Sequence, residues 1–203
     1  MRIAICIPAR DTVHTGFALC LANLTARLQR DGIEFVVLFN LGSVIANQRN
    51  SLVWDAFAKG ASHILWLDSD MHIPSNVVDV FLKHKKDIVA ATYSTRVKPQ
   101  RSVAFTDQYN LDSRLTESKG LHEVFAVGLG CMLVDRDVYR VLDAPWFNYT
   151  WNEDTHDLSG EDIHFCKLVR DNGYKIYVDA DISEKVAHFG TKAYMLRETN
   201  EFS

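Results

Sequence analysis

The stretch Ile64-Leu65-Trp66-Leu67-Asp68-Ser69-Asp70 decides the fold. Its first four residues form an apolar run with the length of a buried strand, and two carboxylates one residue apart follow directly. In a parallel sheet, strand ends of this kind open into the crevice where ligands bind. In an extended turn both carboxylates can reach one hard cation, which prefers oxygen ligands. The stretch therefore predicts a strand that ends at a metal and phosphate site, although aspartates are also common at ordinary turns.

Short apolar runs alternate with helical patterns on both sides of this stretch. Such alternation predicts an α/β fold, in which a mostly parallel sheet is covered by helices on both faces. The predicted strands are Arg2–Ile7, Phe35–Phe39, His63–Leu67 and Asp87–Tyr93, and the predicted helices are Phe17–Leu28, Ile45–Ala58 and one that follows Pro74 with Ser75 as its N-cap.

The alternation changes after residue 93. Residues 94–122 are polar and irregular, and apolar runs then flank Gly128-Leu129-Gly130, which predicts a small mixed sheet. A helix over Glu161–Asp171 and a strand over Lys175–Val178 follow. We expect a single domain over residues 1–203, with a nucleotide-binding half at 1–100 and an acceptor and catalytic half at 101–203.

Composition excludes several classes of protein. The 203 residues carry a net charge of −4, so no global basic field favours specific binding of nucleic acid. The four cysteines lie far apart without C-x-x-C spacing, which indicates reduced core thiols. No apolar stretch approaches the roughly 20 residues of a transmembrane segment, so we expect a cytoplasmic protein.

Two later features could add chemistry to the predicted crevice. His188 follows Val186-Ala187 at the end of a short strand, and an imidazole beside carboxylates favours manganese over magnesium. A purely structural histidine is the alternative.

Ser159-Gly160-Glu161-Asp162 fits a capping box, in which Asp162 bonds back to the Ser159 amide. The other interpretation is that a carboxylate at this helix end stays ionised and takes a proton from an attacking hydroxyl.

Charged and aromatic side chains surround these features in the sequence. Residues 145–158 contain four aromatic side chains, which are typical either of core or of a pocket wall for a ring-shaped ligand. The side chains expected at the crevice edge are Arg10, Asp11, Arg49 and Asn50, and those that could balance a diphosphate are Arg96 first, then Lys98, Arg101 and Lys192.

These motifs together resemble the GT-A type nucleotide-sugar glycosyltransferases, most closely the small inverting enzymes of their largest family. The resemblance spans Ile3 to Gly190. It is carried by Ile-Pro-Ala-Arg-Asp at 7–11, Gln-Arg-Asn at 48–50, Leu-Asp-Ser-Asp at 67–70, Val-Gly-Leu-Gly-Cys-Met-Leu at 127–133, Gly-Glu-Asp at 160–162, and His188.

The resemblance implies a Rossmann-like GT-A fold and a metal-dependent enzyme that moves one sugar from a nucleoside-diphosphate sugar to an acceptor hydroxyl, with inversion. Asp68, Asp70 and His188 would bind Mn²⁺ or Mg²⁺, Asp162 would be the catalytic base, and Glu161 would orient the acceptor or the sugar. The residues that the resemblance assigns to the nucleotide sugar are Pro8, Arg10, Asp11, Arg49, Asn50, Asp68, Ser69, Arg96 and Gly130.

Two departures bear on the substrates. Asn40-Leu41-Gly42-Ser43 stands where the family often has an acidic residue that holds a uracil, so the nucleotide base stays open. The Q-x-x-R-W signature of processive synthases is missing, which favours transfer of a single sugar. The alternatives are a sugar-phosphate nucleotidyltransferase, which needs a Gly-rich loop where Pro8-Ala9-Arg10-Asp11 stands, and a non-catalytic nucleotide-sugar-binding module.

Overall fold

The computed structural model describes residues 1–96, 98–107, 113–117, 119–153 and 156–190. The strands are β1 (Arg2–Ala9), β2 (Glu34–Leu41), β3 (His63–Leu67), β4 (Met71–His72), β5 (Ile88–Ala90), β6 (Ala104–Phe105), β7 (Leu121–Val124), β8 (Ala126–Val127), β9 (Cys131–Asp135), β10 (Thr150–Asn152), β11 (Asp157–Ser159), β12 (Ile176–Asp179) and β13 (Ala187–His188). The helices are α1 (Thr15–Arg30), α2 (Ile45–Ala58), α3 (Val77–Lys83), α4 (Arg136–Val141), α5 (Glu161–Asp171) and α6 (Ala180–Ser183).

A seven-stranded mixed sheet in the order β2-β1-β3-β9-β5-β12-β7 forms the centre of the described part. Strand β1 pairs in parallel with β2 and β3, and β5 pairs in parallel with β12. Only β9 and β7 run against the other strands. The predicted α/β fold with a mostly parallel central sheet is therefore confirmed.

The position of β9 corrects one prediction. The apolar run Cys131–Val134 was expected in a small separate sheet, but β9 lies between β3 and β5 in the main sheet. Its residues pair with β3 from His63↔Asp135 to Leu67↔Cys131. The main sheet is therefore built from both parts of the chain, and the smaller sheets are two-stranded.

Helices cover both faces of the sheet. Along β1, Ile3, Ile5 and Ile7 face one apolar cluster with α1 and α3, whereas Ala4 and Cys6 face the other with α2, α4 and α5. This alternation follows from the two-residue period of a strand. All four cysteines are buried and free, as the spacing indicated.

Element boundaries follow the sequence pattern closely. Helices α2 and α5 and strand β3 have the predicted limits. Strand β1 continues through Pro8, which is tolerated because the pairing of β1 with β3 ends at Cys6. The prediction that Ser75 caps the third helix is wrong, since the N-cap of α3 is Asn76 and no side chain caps it. No described helix is long and apolar enough to cross a bilayer.

A buried hydrogen bond joins the central strand β3 to α4. The Trp66 indole Nε1 donates to the Tyr139 hydroxyl at 2.7 Å, and both side chains are at most 1% exposed. At this position the indole N–H is shielded from solvent. This bond therefore satisfies a donor that would otherwise be costly to bury.

We expect Tyr139→Phe to lower the free energy of unfolding by about 1–3 kcal/mol, because it leaves the Trp66 N–H unpaired. Urea unfolding followed by tryptophan fluorescence measures the change. Tyr177→Phe, at a partly exposed position of β12, is the matched control and should have little effect. Equal unfolding midpoints for Tyr139→Phe and the natural protein would contradict the role of this bond.

Candidate active site

The turn at residues 68–70 is held in place by three separate parts of the chain. The Asp68 amide donates to the Gly130 carbonyl at 3.2 Å. The Ser69 carbonyl accepts from the His14 amide at 2.9 Å, and the Asp70 carbonyl accepts from the Phe189 amide at 2.8 Å. The backbone that carries Asp68 and Asp70 is thus fixed by the ends of other elements before any ligand arrives.

A cleft of about 420 Å³ opens at this turn, at the carboxyl ends of β1, β2 and β3. Its size lies within the range of small-molecule sites. Seven predicted site residues line it: Pro8, Arg10, Asp68, Ser69, Asp70, Arg96 and His188. Five further lining residues were not predicted: Ala9, Gly42, Ser43, Ile45 and Gln48.

Asp70, His188 and Arg96 form one contact group in this cleft. Asp70 Oδ1 lies 3.2 Å from His188 Nε2, and Asp70 Oδ2 accepts a hydrogen bond from the Arg96 guanidinium. The same guanidinium also contacts His188 Nε2. Burial raises the pKa of Asp70, but the hydrogen bond and charge of His188 and the charge of Arg96 outweigh it, so the net pKa is lowered. Asp70 is therefore a carboxylate at neutral pH.

Asp68 turns away from this group. Its Oδ1 accepts from Arg49 Nη2 at 2.8 Å, and a tight turn follows it, with the Met71 amide donating to the Asp68 carbonyl at 3.3 Å. The extended geometry that would aim Asp68 and Asp70 at one ion is thus absent. Among the described residues, no three acidic, histidine or cysteine side chains are placed to hold a metal ion.

Asp70 and His188 nevertheless suit a divalent cation. A carboxylate oxygen and an imidazole nitrogen 3.2 Å apart are a donor pair that Mn²⁺ accepts. The Arg96 guanidinium, itself a cation, contacts both groups and is a stand-in for an ion at that point. Metals that act on nucleotides commonly take one or two protein ligands and fill the remaining positions with phosphate and water. The residues present therefore fit such an ion without Asp68.

Arg49 is buried between two carboxylates. Its side chain is 1% exposed, with Nη2 at 2.8 Å from Asp68 Oδ1 and Nε at 3.2 Å from Glu161 Oε1. Burial lowers the pKa of Arg49, but Asp68 and Glu161 raise it more, so the guanidinium stays charged. Arg49 does not line the cleft, where it was expected. It joins the cleft residue Asp68 to the start of α5 instead.

Asn50 does not reach the cleft either. Its Nδ2 donates to the carbonyls of Ala46 and Phe147 at 2.9 and 2.8 Å, and its Oδ1 accepts from the amides of Trp146 and Phe147 at 3.0 and 3.2 Å. All of its bonding capacity is used on backbone groups. The prediction that Asn50 lies at the crevice edge is wrong, since the side chain fastens α2 to the segment before β10.

Gln48 is a cleft residue that sequence reasoning missed. Its buried amide Nε2 donates to the carbonyls of Ala9 and Asn40, both at 2.6 Å. These carbonyls lie at the ends of β1 and β2, so Gln48 holds together the two strand ends that open the cleft. The signal was present, because Gln48 begins the Gln-Arg-Asn motif at 48–50.

Gly130 and Tyr93 form the wall behind the turn. The Gly130 amide donates to the Tyr93 hydroxyl at 3.1 Å, and a Cβ on Gly130 would lie 2.6 Å from that oxygen. Gly130 is not among the residues that line the cleft, so its direct contact with a nucleotide sugar is not supported. The ring of Tyr93 packs edge-on against His188 with centroids 5.3 Å apart, which orients the imidazole. Sequence reasoning did not select Tyr93.

Asp162 and Glu161 open α5 without forming the capping box. The N-cap of α5 is Gly160 and no side chain caps it, so the bond from Asp162 to Ser159 is absent. Asp162 Oδ1 instead accepts from the Ile163 amide at 2.8 Å. Burial, followed by the charge of Glu161, raises the pKa of Asp162 to about 6. The sequence predicted a carboxylate that stays ionised at neutral pH, and a pKa of about 6 leaves most of this group ionised at pH 7.

Several predicted residues stay apart from the cleft. Asp11 is exposed and contacts Thr12, and Lys98 and Arg101 are exposed and do not line the cleft. Lys192 lies outside the described residues.

The aromatic residues of the segment 145–158 are partly buried in the core and partly exposed. Trp146 and Phe147 are buried in the core at 3% and 1% exposure. Tyr149 and Trp151 are 39% and 50% exposed, and Trp151 pairs across the β10–β11 hairpin with the exposed Leu158. Tyr149 lies close enough to the acidic start of α5 for the charges of Glu161 and Asp162 to act on its hydroxyl.

Comparison with solved structures shows the fold of glycosyltransferases. The chain is similar to the protein A197 from STIV, with 17% identity, a TM-score of 0.59, and coverage of 97% of this chain and 98% of that one. It is also similar to a Drosophila β-1,4-galactosyltransferase 7 variant in complex with manganese, UDP-Gal and xylobiose. There the identity is 16%, the TM-score 0.51, and the coverage 97% of this chain and 78% of that one.

These likenesses show that the chain has the GT-A fold, as the sequence predicted. Within the chain, residues 42–139 match the Anp1 family. The matched stretch runs from the cleft residue Gly42 through the Asp68–Asp70 turn to α4. No curated protein sequence matches the chain.

The raised pKa of Asp162 predicts a stability cost at neutral pH. A carboxyl whose pKa rises from 3.8 to about 6 on folding binds more protons in the folded state between these values, so stability falls as pH rises through this window. We expect Asp162→Asn to be roughly 2–3 kcal/mol more stable than the natural protein at pH 8 and equal to it at pH 4.

Thermal unfolding at both pH values measures this, with an expected increase of about 5 °C at pH 8. Asp137→Asn, at an exposed carboxyl 77% accessible on α4, is the control and should show no such difference. At each pH, the quantity to compare is the stability of Asp162→Asn minus that of the natural protein. If this difference is smaller at pH 8 than at pH 4, burial is not the cause of the raised pKa.

Proposed function

We propose that this protein transfers one sugar from a nucleoside-diphosphate sugar to an acceptor hydroxyl, with inversion and with the help of a divalent metal ion. The observation that carries the proposal is the chain of contacts from the cleft residue Asp68 through Arg49 to Glu161, beside a carboxyl with a raised pKa. A donor site and a base are thereby held in one rigid arrangement.

The donor would lie in the cleft. Arg10 and Arg96 supply positive charge toward the diphosphate, and Ser69 and the backbone at Gly42 and Ser43 line the same space. A Mn²⁺ or Mg²⁺ ion held by Asp70 and His188 would neutralise the charge that develops on the departing diphosphate. Residues 1–100 would thus supply most donor contacts, with His188 added from the other half.

Asp162 would act as the base. A pKa of about 6 keeps most of this carboxyl ionised at pH 7 and makes it a stronger base than an ordinary aspartate. It would accept the proton of the acceptor hydroxyl as the oxygen attacks the anomeric carbon. Inversion follows if the diphosphate leaves from the opposite face. Glu161 is held by Arg49 and would orient the acceptor rather than take the proton.

The acceptor would bind against Tyr149 and Trp151. Exposed aromatic rings next to carboxylates suit a sugar ring, whose apolar face stacks on the rings while its hydroxyls reach the polar groups. The hairpin itself is anchored, because the Thr150 hydroxyl bonds to His164 Nδ1 at 3.1 Å on α5. The acceptor half of the site would therefore lie in residues 101–203.

Two substitutions separate donor binding from catalysis. We expect Asp70→Ala to abolish the metal-dependent part of donor binding, whereas Asp162→Asn keeps donor affinity and lowers turnover by about 10²-fold or more, because the base acts in the transition state. Donor affinity is measured by calorimetry with Mn²⁺ and a panel of nucleotide sugars, and turnover by release of nucleoside diphosphate.

In the natural protein, kcat/KM should fall as pH drops through about 6, since Asp162 becomes protonated.

Asp137→Ala, on the exposed side of α4, is the control for both measurements. Unchanged turnover in Asp162→Asn would remove this residue as the base, and full donor binding by Asp70→Ala would remove the metal site. The anomeric proton signal of the product, observed by NMR, shows whether the configuration is inverted.

The acceptor site predicts a split between kinetic constants. With a saccharide acceptor, Trp151→Ala should raise the KM for acceptor about tenfold and leave donor affinity unchanged, because one stacking face is lost. Trp54→Ala is the matched control, since Trp54 is 59% exposed on α2. Equal acceptor KM values for Trp151→Ala and the natural protein would place the acceptor elsewhere.

A further inference from the structure

The Arg96 guanidinium occupies the point where Asp70 and His188 would hold a metal ion. It donates to Asp70 Oδ2 and contacts His188 Nε2, while Asp70 Oδ1 faces the same imidazole nitrogen at 3.2 Å. Both carboxylate oxygens of Asp70 therefore already have a partner. A divalent ion cannot bind this pair at the same point while the guanidinium stays there, because two cations would repel each other across a few ångströms.

The contact of Arg96 is of a kind that can be exchanged. The Arg96 side chain is 47% exposed and that of Asp70 31% exposed, so water screens the ion pair and its strength is low. Arg96 also lines the cleft together with Arg10 and Ser69. A guanidinium that leaves Asp70 thus remains in the space assigned to the diphosphate, where its planar donors match phosphate oxygens.

We propose that Arg96 and a divalent cation compete for Asp70 and His188, and that the displaced Arg96 binds the diphosphate of the donor. Arg96 is then a binding residue with two successive partners. Without metal it neutralises Asp70, and with metal and donor it neutralises phosphate. This inference rests on the proposed function, because it takes Asp70 and His188 as metal ligands and a nucleoside diphosphate as the ligand of the cleft.

The test measures binding of Mn²⁺ alone and then of Mn²⁺ with UDP or GDP, by electron paramagnetic resonance and calorimetry. Arg96→Gln should bind Mn²⁺ alone about fivefold more tightly than the natural protein, because the competing cation is gone. With saturating Mn²⁺, the same variant should bind UDP or GDP at least about tenfold more weakly, because a charge-assisted bond to phosphate is lost. A higher affinity for Mn²⁺ alone, together with a lower affinity for UDP or GDP, is the result that competition predicts for this variant.

Two variants serve as controls. Arg10→Gln removes a positive charge from the same cleft at a residue with no contact to Asp70 or His188 among those described, so its affinity for Mn²⁺ alone should change much less. Arg96→Lys keeps the charge but lacks the planar fork, so its affinity for Mn²⁺ alone should lie between those of the natural protein and Arg96→Gln. Circular dichroism confirms that each variant is folded.

An affinity for Mn²⁺ that is unchanged or reduced in Arg96→Gln overturns the proposal. Equal increases in Arg96→Gln and Arg10→Gln overturn it as well, because the effect would then come from the general charge of the cleft. If no protein binds Mn²⁺, both this inference and the metal part of the proposed function fail. If Arg96→Gln shows both of these changes in affinity but no sugar is transferred to any acceptor, the competition stands and the transferase activity alone fails.

Discussion

The buried guanidinium of Arg49 is the constraint on which the site depends. A fully buried positive charge is tolerable only if it is paired, and here it is paired with Asp68 on one side and Glu161 on the other. These partners are 19 and 112 residues away in the chain. The end of β3 and the beginning of α5 must therefore both lie close to α2, since both carboxylates reach the same buried guanidinium.

This pairing has consequences for the neighbouring carboxyls. Arg49 forms ion pairs with Asp68 and Glu161, and the negative charge of Glu161 also acts on Asp162, the next residue. Asp162 is itself buried, and this burial, followed by the charge of Glu161, raises its pKa to about 6. The start of α5 thus carries two adjacent carboxyls in different surroundings, one anchored by a buried arginine and one with a pKa raised to about 6. Such a division is what an acid–base site requires.

The fold was largely predictable because its signals are local. Apolar runs of strand length and helical periodicity determine α2, β3 and α5 at their observed limits. The position of β9 was not predictable in this way, because a short apolar run is equally compatible with the centre of a sheet and with a small separate one. Strand neighbours are selected by contacts between distant residues, which periodicity does not record.

The site was predictable in its residues but less so in their orientation. Seven of the residues named from the sequence line the cleft, because the ends of parallel strands meet at one edge of the sheet. The three residues of the motif at 48–50 nevertheless have different roles. Gln48 joins the strand ends that open the cleft, Arg49 is buried, and Asn50 donates to the Phe147 carbonyl. Successive helix positions point about 100° apart, so one motif on a helix serves three different surroundings.

The two aspartates of the 68–70 turn show the same principle at shorter range. Their spacing alone suggests a shared ion, because alternate residues of an extended chain point the same way. The chain turns immediately after β3, and the carboxyls diverge toward different cations, Asp68 to Arg49 and Asp70 to Arg96. Asp68 is consumed by a buried ion pair that the fold needs, whereas the partner of Asp70 is exposed and exchangeable. Both carboxylates line the cleft, but the ion pair of Asp70 is the more exposed one, so it is the one that a ligand entering the cleft exchanges more readily.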